Sequence, residues 1–381
     1  MEARSYQMCT RCIMDTSDPD IAFDEAGLCN HCRECETMMQ TQTLPTEQRW
    51  KALGQIVSEI KATGQGQEYD CIIGVSGGVD STYVAYLAKQ LGLRPLAVHM
   101  DNGWNSELAV SNIEKVLKKL DIDLYTYVLD WEEFKDLQLS FLKASVSDAE
   151  IPTDHAIHAV LYQQAARRNI GYIIFGTNLA TEAILPVSWT FGIQDWRYIS
   201  GIHQQFGTKP LKTFPHVGYW TLNYFYRQIK RIKHVSVLDY IDYSKADAMR
   251  VLTDVLGWRP YGGKHYESIY TRFFQGYILP TKFGIDKRRA HFSTLIVSGQ
   301  MTRDEALAEI KQPPYAGYMQ EEDMDYVLKK LGFSEEEFQR IMALPVRAYH
   351  DYPNSLPLVK LTRTLNLGRW AQLMGIKPQT A

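Results

Sequence analysis

The run Cys71-Ile72-Ile73-Gly74-Val75-Ser76-Gly77-Gly78-Val79-Asp80-Ser81-Thr82 constrains this chain more than any other stretch. An apolar strand passes straight into a Ser-Gly-Gly turn and then into a helix start. Adjacent glycines allow backbone torsions and close approaches that a Cβ forbids, so main-chain N–H groups can converge on phosphate oxygens. Asp80, Ser81 and Thr82 open the helix, whose N-terminal partial charge favours the same anion. Val79, Val84, Ala85 and Leu87 give that helix an apolar face to lay back on a sheet. An accidental glycine turn would need strand, turn and helix to agree by chance. The stretch from Val75 to Thr82 (Val75, Ser76, Gly77, Gly78, Val79, Asp80, Ser81, Thr82) therefore predicts a cradle for the pyrophosphate end of a nucleoside triphosphate.

Other phosphate motifs fail. No Gly-x-x-x-x-Gly-Lys-Ser/Thr occurs, since Gly262-Gly263-Lys264 is followed by His265. Gly64 and Gly66 miss a dinucleotide fingerprint, because position 69 is Tyr and no strand precedes them. The run resembles instead the PP-loop of the N-type ATP pyrophosphatases. Those enzymes adenylate a substrate oxygen, release pyrophosphate and let a nitrogen or sulfur nucleophile displace AMP. The resemblance implies ATP with Mg²⁺, and Asp80 and Ser81 among the catalytic groups.

Length and composition set the frame. With 381 residues and 45% apolar content, two or three domains with a sizeable core are expected. A net charge of -3 argues against a broad nucleic-acid footprint. No apolar run is long enough to span a bilayer, and the start Met1-Glu2-Ala3-Arg4 is polar, so a cytoplasmic protein without membrane insertion is expected.

Five of the six cysteines fall between positions 9 and 35. Cys9-x-x-Cys12 and Cys29-x-x-Cys32 are sixteen residues apart, a spacing at which two turns can bring four thiolates to one tetrahedral Zn²⁺. Cys35 and His31 are alternative fourth ligands. Structural zinc is expected, with an iron-sulfur cluster or loose thiols as the alternatives; four protein ligands would leave such a zinc no open position for chemistry.

Strand and helix patterns alternate from Asp70 to Gly176, with strands read at Asp70 to Val75, Pro95 to Asp101, Leu124 to Leu129 and Tyr172 to Gly176. That alternation predicts an α/β fold with a doubly wound parallel sheet and ligands at the carboxyl ends of its strands. The expected division is a zinc knuckle at 1–45, a helical linker at 46–69, the ATP domain at 70–220 and a mostly helical region at 221–381 that completes the active site.

Two more strand ends join the first. His99, Asp101 and Asn102 close the second strand, where base and ribose lie in such folds; an ordinary βα turn is the bland alternative. Gly176, Thr177 and Asn178 close the later one and, with Glu182, resemble the Gly-Thr segment of ammonia-dependent NAD synthetases. That resemblance pairs Glu182 with Asp80 on Mg²⁺, since two carboxylates beside a polyphosphate need a cation between them. A solvated acid at a helix start is the alternative for Glu182. Downstream, Lys264, His265, Lys282, Lys287 and Arg288 are candidate cations for the departing pyrophosphate, or else a basic surface loop. His155 and His158 lack a third metal ligand and read as packing residues. Trp189, Trp196, Arg197, His203 and Tyr261 are too generic to define a sugar pocket.

Taken together, Met8-Cys9-Thr10-Arg11-Cys12-Ile13-Met14-Asp15, the glycine turn, Tyr261-Gly262-Gly263-Lys264-His265 and Lys282-Phe283-Gly284-Ile285-Asp286-Lys287-Arg288 are similar to the N-acetyl sugar amidotransferases of the WbpG/PseA type. The resemblance implies conversion of an acetamido group on a UDP- or CMP-linked sugar to an acetamidino group, in surface-polysaccharide or flagellin-sugar synthesis. Such enzymes usually receive ammonia from a glutaminase with an activated cysteine. Position 1 offers no nucleophile, four cysteines are assigned to metal, Cys71 lies in a strand, and the remaining Cys35 has no recognisable histidine partner in the sequence. A separate glutaminase subunit resembling that of imidazole-glycerol-phosphate synthase is therefore expected. A tRNA-thiolating PP-loop enzyme and a non-catalytic nucleotide-binding scaffold are the competing readings. The first lacks support from charge, and no cysteine follows Cys71.

Overall fold

The computed structural model describes residues 5–42, 44–261, 263, 266–314 and 317–364. Lys264 and His265 lie outside the described residues. Five parallel strands form one sheet in the order β3-β2-β1-β4-β5: β1 Cys71–Gly74, β2 Pro95–Asp101, β3 Leu124–Val128, β4 Tyr172–Phe175 and β5 Lys233–Ser236. The central β1, β2 and β4 are almost wholly apolar and buried, as a sheet covered on both faces requires. Strand order reverses between β1 and β4, which opens a crevice at their carboxyl ends.

Each face has its own core. On one side Cys71, Ile73 and Ile174 meet Leu53, Val57 and Ile60 of α2 (Thr46–Thr63), Val84 and Ala85 of α3 (Val79–Gln90) and Ile113 and Leu117 of α4 (Glu107–Leu120). On the other, Ile72, Val98 and Ile173 pack on Ala159, Val160 and Leu161 of α6 (Ile151–Arg167), which follows α5 (Trp131–Ala144). Two boundaries shift from expectation. The stretch read as a linker is a wall of the sheet domain, and β5 carries that domain past residue 220.

The N-terminal segment, with α1 (Asn30–Gln42), is not a separate lobe. Its cysteines share one core with Phe134 and Phe141 of α5, Tyr198 of α8 (Trp196–Phe206), and Phe273, Phe274 and Phe338 of the C-terminal helices. Arg289 donates to the Ile13 carbonyl at 2.9 Å, and Arg303 donates to the carbonyls of Cys9 and Cys12, both at 3.2 Å. No helix among the described residues is long and apolar enough to cross a membrane.

Candidate functional site

Gly77 stands at φ +83, a left-handed conformation that a side chain disfavours. A Cβ there would lie 2.9 Å from Tyr261 Oη and 3.1 Å from the Ala109 carbonyl. The loop is held from outside. Trp258 Nε1 and Tyr261 Oη both donate to the Gly77 carbonyl, at 2.9 and 2.7 Å. From inside, Gly78 N donates to Ser76 Oγ at 3.3 Å and Thr82 Oγ1 to the Gly78 carbonyl at 2.7 Å. With its carbonyl fixed away and α3 starting at Val79, the turn presents amides and hydroxyls to the crevice, which suits a phosphate.

Gly176 brings the second strand end against the first turn of α3, for a Cβ on it would sit 2.9 Å from Ser81 N. Thr177 pairs with Ser236 at 3.2 Å, and Asn178 caps the short helix α7 (Leu179–Glu182). Asp80 accepts a hydrogen bond from Tyr243 Oη. Burial, then the charges of Asp80 and Glu182, push the Tyr243 phenol far up. One hydroxyl thus senses both carboxylates, the pair that would hold Mg²⁺ on a bound triphosphate. At the end of β2, His99 donates from Nδ1 to the Val75 carbonyl at 2.8 Å and accepts from Asn105 at Nε2, 3.1 Å away. Asp101 accepts from Gly103 N at 2.8 Å, and Asn102 bonds Thr153 at 3.3 Å. His99 therefore braces the loop, with both ring nitrogens on protein partners.

Cys9, Cys12, Cys29 and Cys32 are fully buried, and their sulfurs all lie within 4.8 Å of one another. Cys9 and Cys32 are 3.8 Å apart, Cys12 and Cys29 3.7 Å. Four sulfurs at the usual Zn–S bond length around a tetrahedron stand about 3.8 Å apart. Amides of Met14, Cys29 and Cys32 donate to three of these sulfurs, as thiolates favour. The donor set fits structural zinc. His31 is engaged by Asp18 at 2.6 Å, and Cys35 is outside the foursome.

Residues 47–193 match the family model described as NAD synthase, and residues 267–366 the one described as LPS biosynthesis protein WbpG-like, C-terminal domain. An NAD synthase-type segment is thus followed by a WbpG-like C-terminal domain. It is 32% identical over 107 residues to an uncharacterised protein of Methanocaldococcus jannaschii, covering 28% of this chain and 38% of that one. It is 34% identical over 70 residues to tRNA(Ile)-lysidine synthase of Chlamydia pneumoniae, covering 18% and 22%. The chain thus spans well under half the length of these curated relatives. It is also similar to the NH3-dependent NAD synthetase of Campylobacter jejuni (16% identity, 55% and 84% of the two chains, TM-score 0.30). NMN synthetase of Francisella tularensis matches to the same degree (16%, 55% and 92%, TM-score 0.29). Overlaps this loose carry no argument.

The WbpG-type region corrects the expected cations. Lys282 donates to the carbonyls of Ile341, Met342 and Leu344 at 2.8, 3.0 and 2.8 Å, so its three protons close the end of α14 (Glu335–Met342). Arg288 forks onto Asp286 at 2.7 Å and reaches the carbonyls ending α12 (Arg303–Ile310). Lys287 faces Glu150 at 3.6 Å. None of the three is directed to the glycine turn. What meets the turn instead is Trp258, Tyr261 and Glu267, whose Oε1 lies 3.4 Å from where a Cβ on Gly78 would stand. Trp258 and Glu267 carried no local pattern that could have marked them.

Proposed function

We propose that this chain is an ATP-dependent amidotransferase that adenylates the acetamido oxygen of a nucleotide-linked sugar and replaces it with ammonia-derived nitrogen, releasing AMP and pyrophosphate. The matched domains support an ATP-dependent, amidotransferase-type role in lipopolysaccharide biosynthesis. The observation that carries the finer reading is the junction itself: a WbpG-like domain whose first residue, Glu267, abuts the phosphate turn. An amide carbonyl is a poor electrophile, so its oxygen must first become a leaving group. Attack on the α-phosphate gives an O-adenylyl imidate, and ammonia then expels AMP. Ser76, Gly77, Gly78 and Ser81 would hold the phosphates in line, while Asp80 and Glu182 would hold Mg²⁺, whose charge would offset that of the departing pyrophosphate. No covalent enzyme nucleophile is required. The nitrogen would come from a separate glutaminase subunit.

The deciding experiment incubates the chain with ATP, Mg²⁺, ammonium and a panel of UDP- and CMP-linked acetamido sugars. AMP, pyrophosphate and the mass change from oxygen to NH, all dependent on one sugar, are the expected outcome. ADP with inorganic phosphate, or turnover that requires tRNA, would overturn the proposal.

A further inference from the structure

Helix α6 runs antiparallel to the strands, so its first turn lies at the carboxyl edge of the sheet, on the side of the crevice. The residue before it, Glu150, is charged yet closed in, its side chain 14% exposed. Three side chains of the WbpG-like domain face it. Gln275 Nε2 donates to Glu150 Oε2 at 2.8 Å, and Lys287 Nζ stands 3.6 Å from the same oxygen, supplying the opposite charge that an enclosed carboxylate needs. Tyr270 is near enough that Glu150's charge, after burial, raises its phenol. Its hydroxyl has no hydrogen-bond partner, although the residue is only 2% exposed. Among the described residues nothing donates to Glu150 Oε1. Buried polar groups are nearly always paired, so the unmet Tyr270 hydroxyl points to a ligand that accepts from it, while the partly exposed Glu150 leaves one carboxylate oxygen open to a donor on the same ligand.

The cluster adjoins the phosphate site. Residues 267–275 run as one segment from the glycine turn to Glu150: Glu267 lies by Gly78, Ser268 bridges to Asn105 at the end of β2, and Tyr270 stacks obliquely on Trp104 at 5.2 Å. Thr153, in the first turn of α6, accepts from Asn102 at 3.3 Å and so ties the cluster to the end of β2.

A secondary amide presents one N–H and one carbonyl, the complement of this pair. We infer that Glu150, Gln275 and Tyr270 seat the acetamido group of the acceptor, with Glu150 receiving the amide N–H and Tyr270 donating to one lone pair of the carbonyl oxygen. The inference rests on the function proposed above. As the oxygen's other lone pair bonds to the α-phosphorus, the bond from that phosphorus to the pyrophosphate oxygen breaks. The carbon–nitrogen bond becomes double, and the proton leaving nitrogen passes to Glu150. A neutral imidate results, with pyrophosphate as leaving group. Gln275 orients the carboxylate and touches no reacting atom.

The test uses the full, zinc-loaded chain and the acetamido sugar found to support turnover. Glu150→Gln is expected to lower acceptor-dependent AMP formation by about 100-fold or more, the range of a lost general base, with ATP affinity unchanged. Tyr270→Phe removes only the hydroxyl and is expected to raise KM for the sugar roughly tenfold with a smaller change in kcat. Unchanged zinc content and ATP affinity in both variants rule out misfolding as the cause. If wild type turns over and both variants match it, this inference falls alone. If wild type forms no AMP with any acetamido sugar, the proposed function falls and takes the inference with it.

Discussion

Gly77 joins backbone strain to function at a single residue. An alanine there would sit at φ +83, costing about 1–2 kcal/mol, and its Cβ would push on Tyr261 and the Ala109 carbonyl. The loop carbonyl would then leave Trp258 and Tyr261, and the amides would lose their aim. Gly77→Ala is expected to weaken ATP binding at least about tenfold by calorimetric titration; equal affinity would mean that this turn does not grip the phosphates. Asp148 is a second telling residue. Burial pushes it up to about 7, although Tyr198 Oη and Phe191 N donate to it at 3.1 and 3.2 Å. A raised folded pKa gives stability that is full below about 4 and is lost as pH climbs to 7, an effect of order 4 kcal/mol. His155 and His158, pushed down to about 4 by burial, act in the opposite sense: their contribution is full above about 6.5 and is lost as pH falls to 4. Asp148→Asn removes only the first effect. Its stability relative to wild type should therefore grow from pH 4 to 7 in denaturant titrations, and a constant difference would refute this. Neither residue was equally legible: the glycine announced itself through its neighbours, whereas nothing around Asp148 in the sequence reveals that it is enclosed.

At the scale of elements, the sequence pattern revealed β1 to β4 and most helices, because β1, β2 and β4 are apolar runs buried in the sheet, β3 is rich in β-formers, and amphipathic helices leave a periodic trace. Strand β5 escaped because Lys233-His234-Val235-Ser236 is short and polar, as an edge strand can be. Lys282 and Arg288 were misplaced for a different reason. Their charge is visible in the sequence, but the carbonyls they cap lie 59 to 62 residues away for Lys282 and 21 or 22 for Arg288, whose carboxylate partner Asp286 is only two residues off. Lys282→Met should therefore lower the thermal midpoint by uncapping α14 while leaving ATP affinity at the wild-type value. A selective loss of ATP affinity would restore the phosphate role. The cysteine cluster makes a related point. Its spacing was legible, but its docking through Arg289, Arg303 and a 3.3 Å bond from Ile13 N to Ser293 was not. Stripping the metal with a chelator should accordingly melt the knuckle and the C-terminal helices together, read as one lowered transition by calorimetry. An unchanged melt in protein shown to be metal-free would exclude a structural zinc.

Across the whole molecule, the core that holds the cysteine cluster against the C-terminal helices bears on where the proposed amidotransferase would draw its nitrogen. A glutaminase needs a thiolate in reach of solvent. All six cysteines are buried: four form the candidate zinc site, burial pushes Cys35 up to about 11, and Cys71 is raised further within β1. None is poised to attack an amide. The purified chain should therefore form product with ammonium and none with glutamine until a separate glutaminase is added. Because the nucleophile is the unprotonated amine, the KM for total ammonium should fall about tenfold per pH unit across neutrality. Glutamine-dependent turnover by the chain alone, blocked by a thiol reagent, would place the missing nucleophile inside it after all.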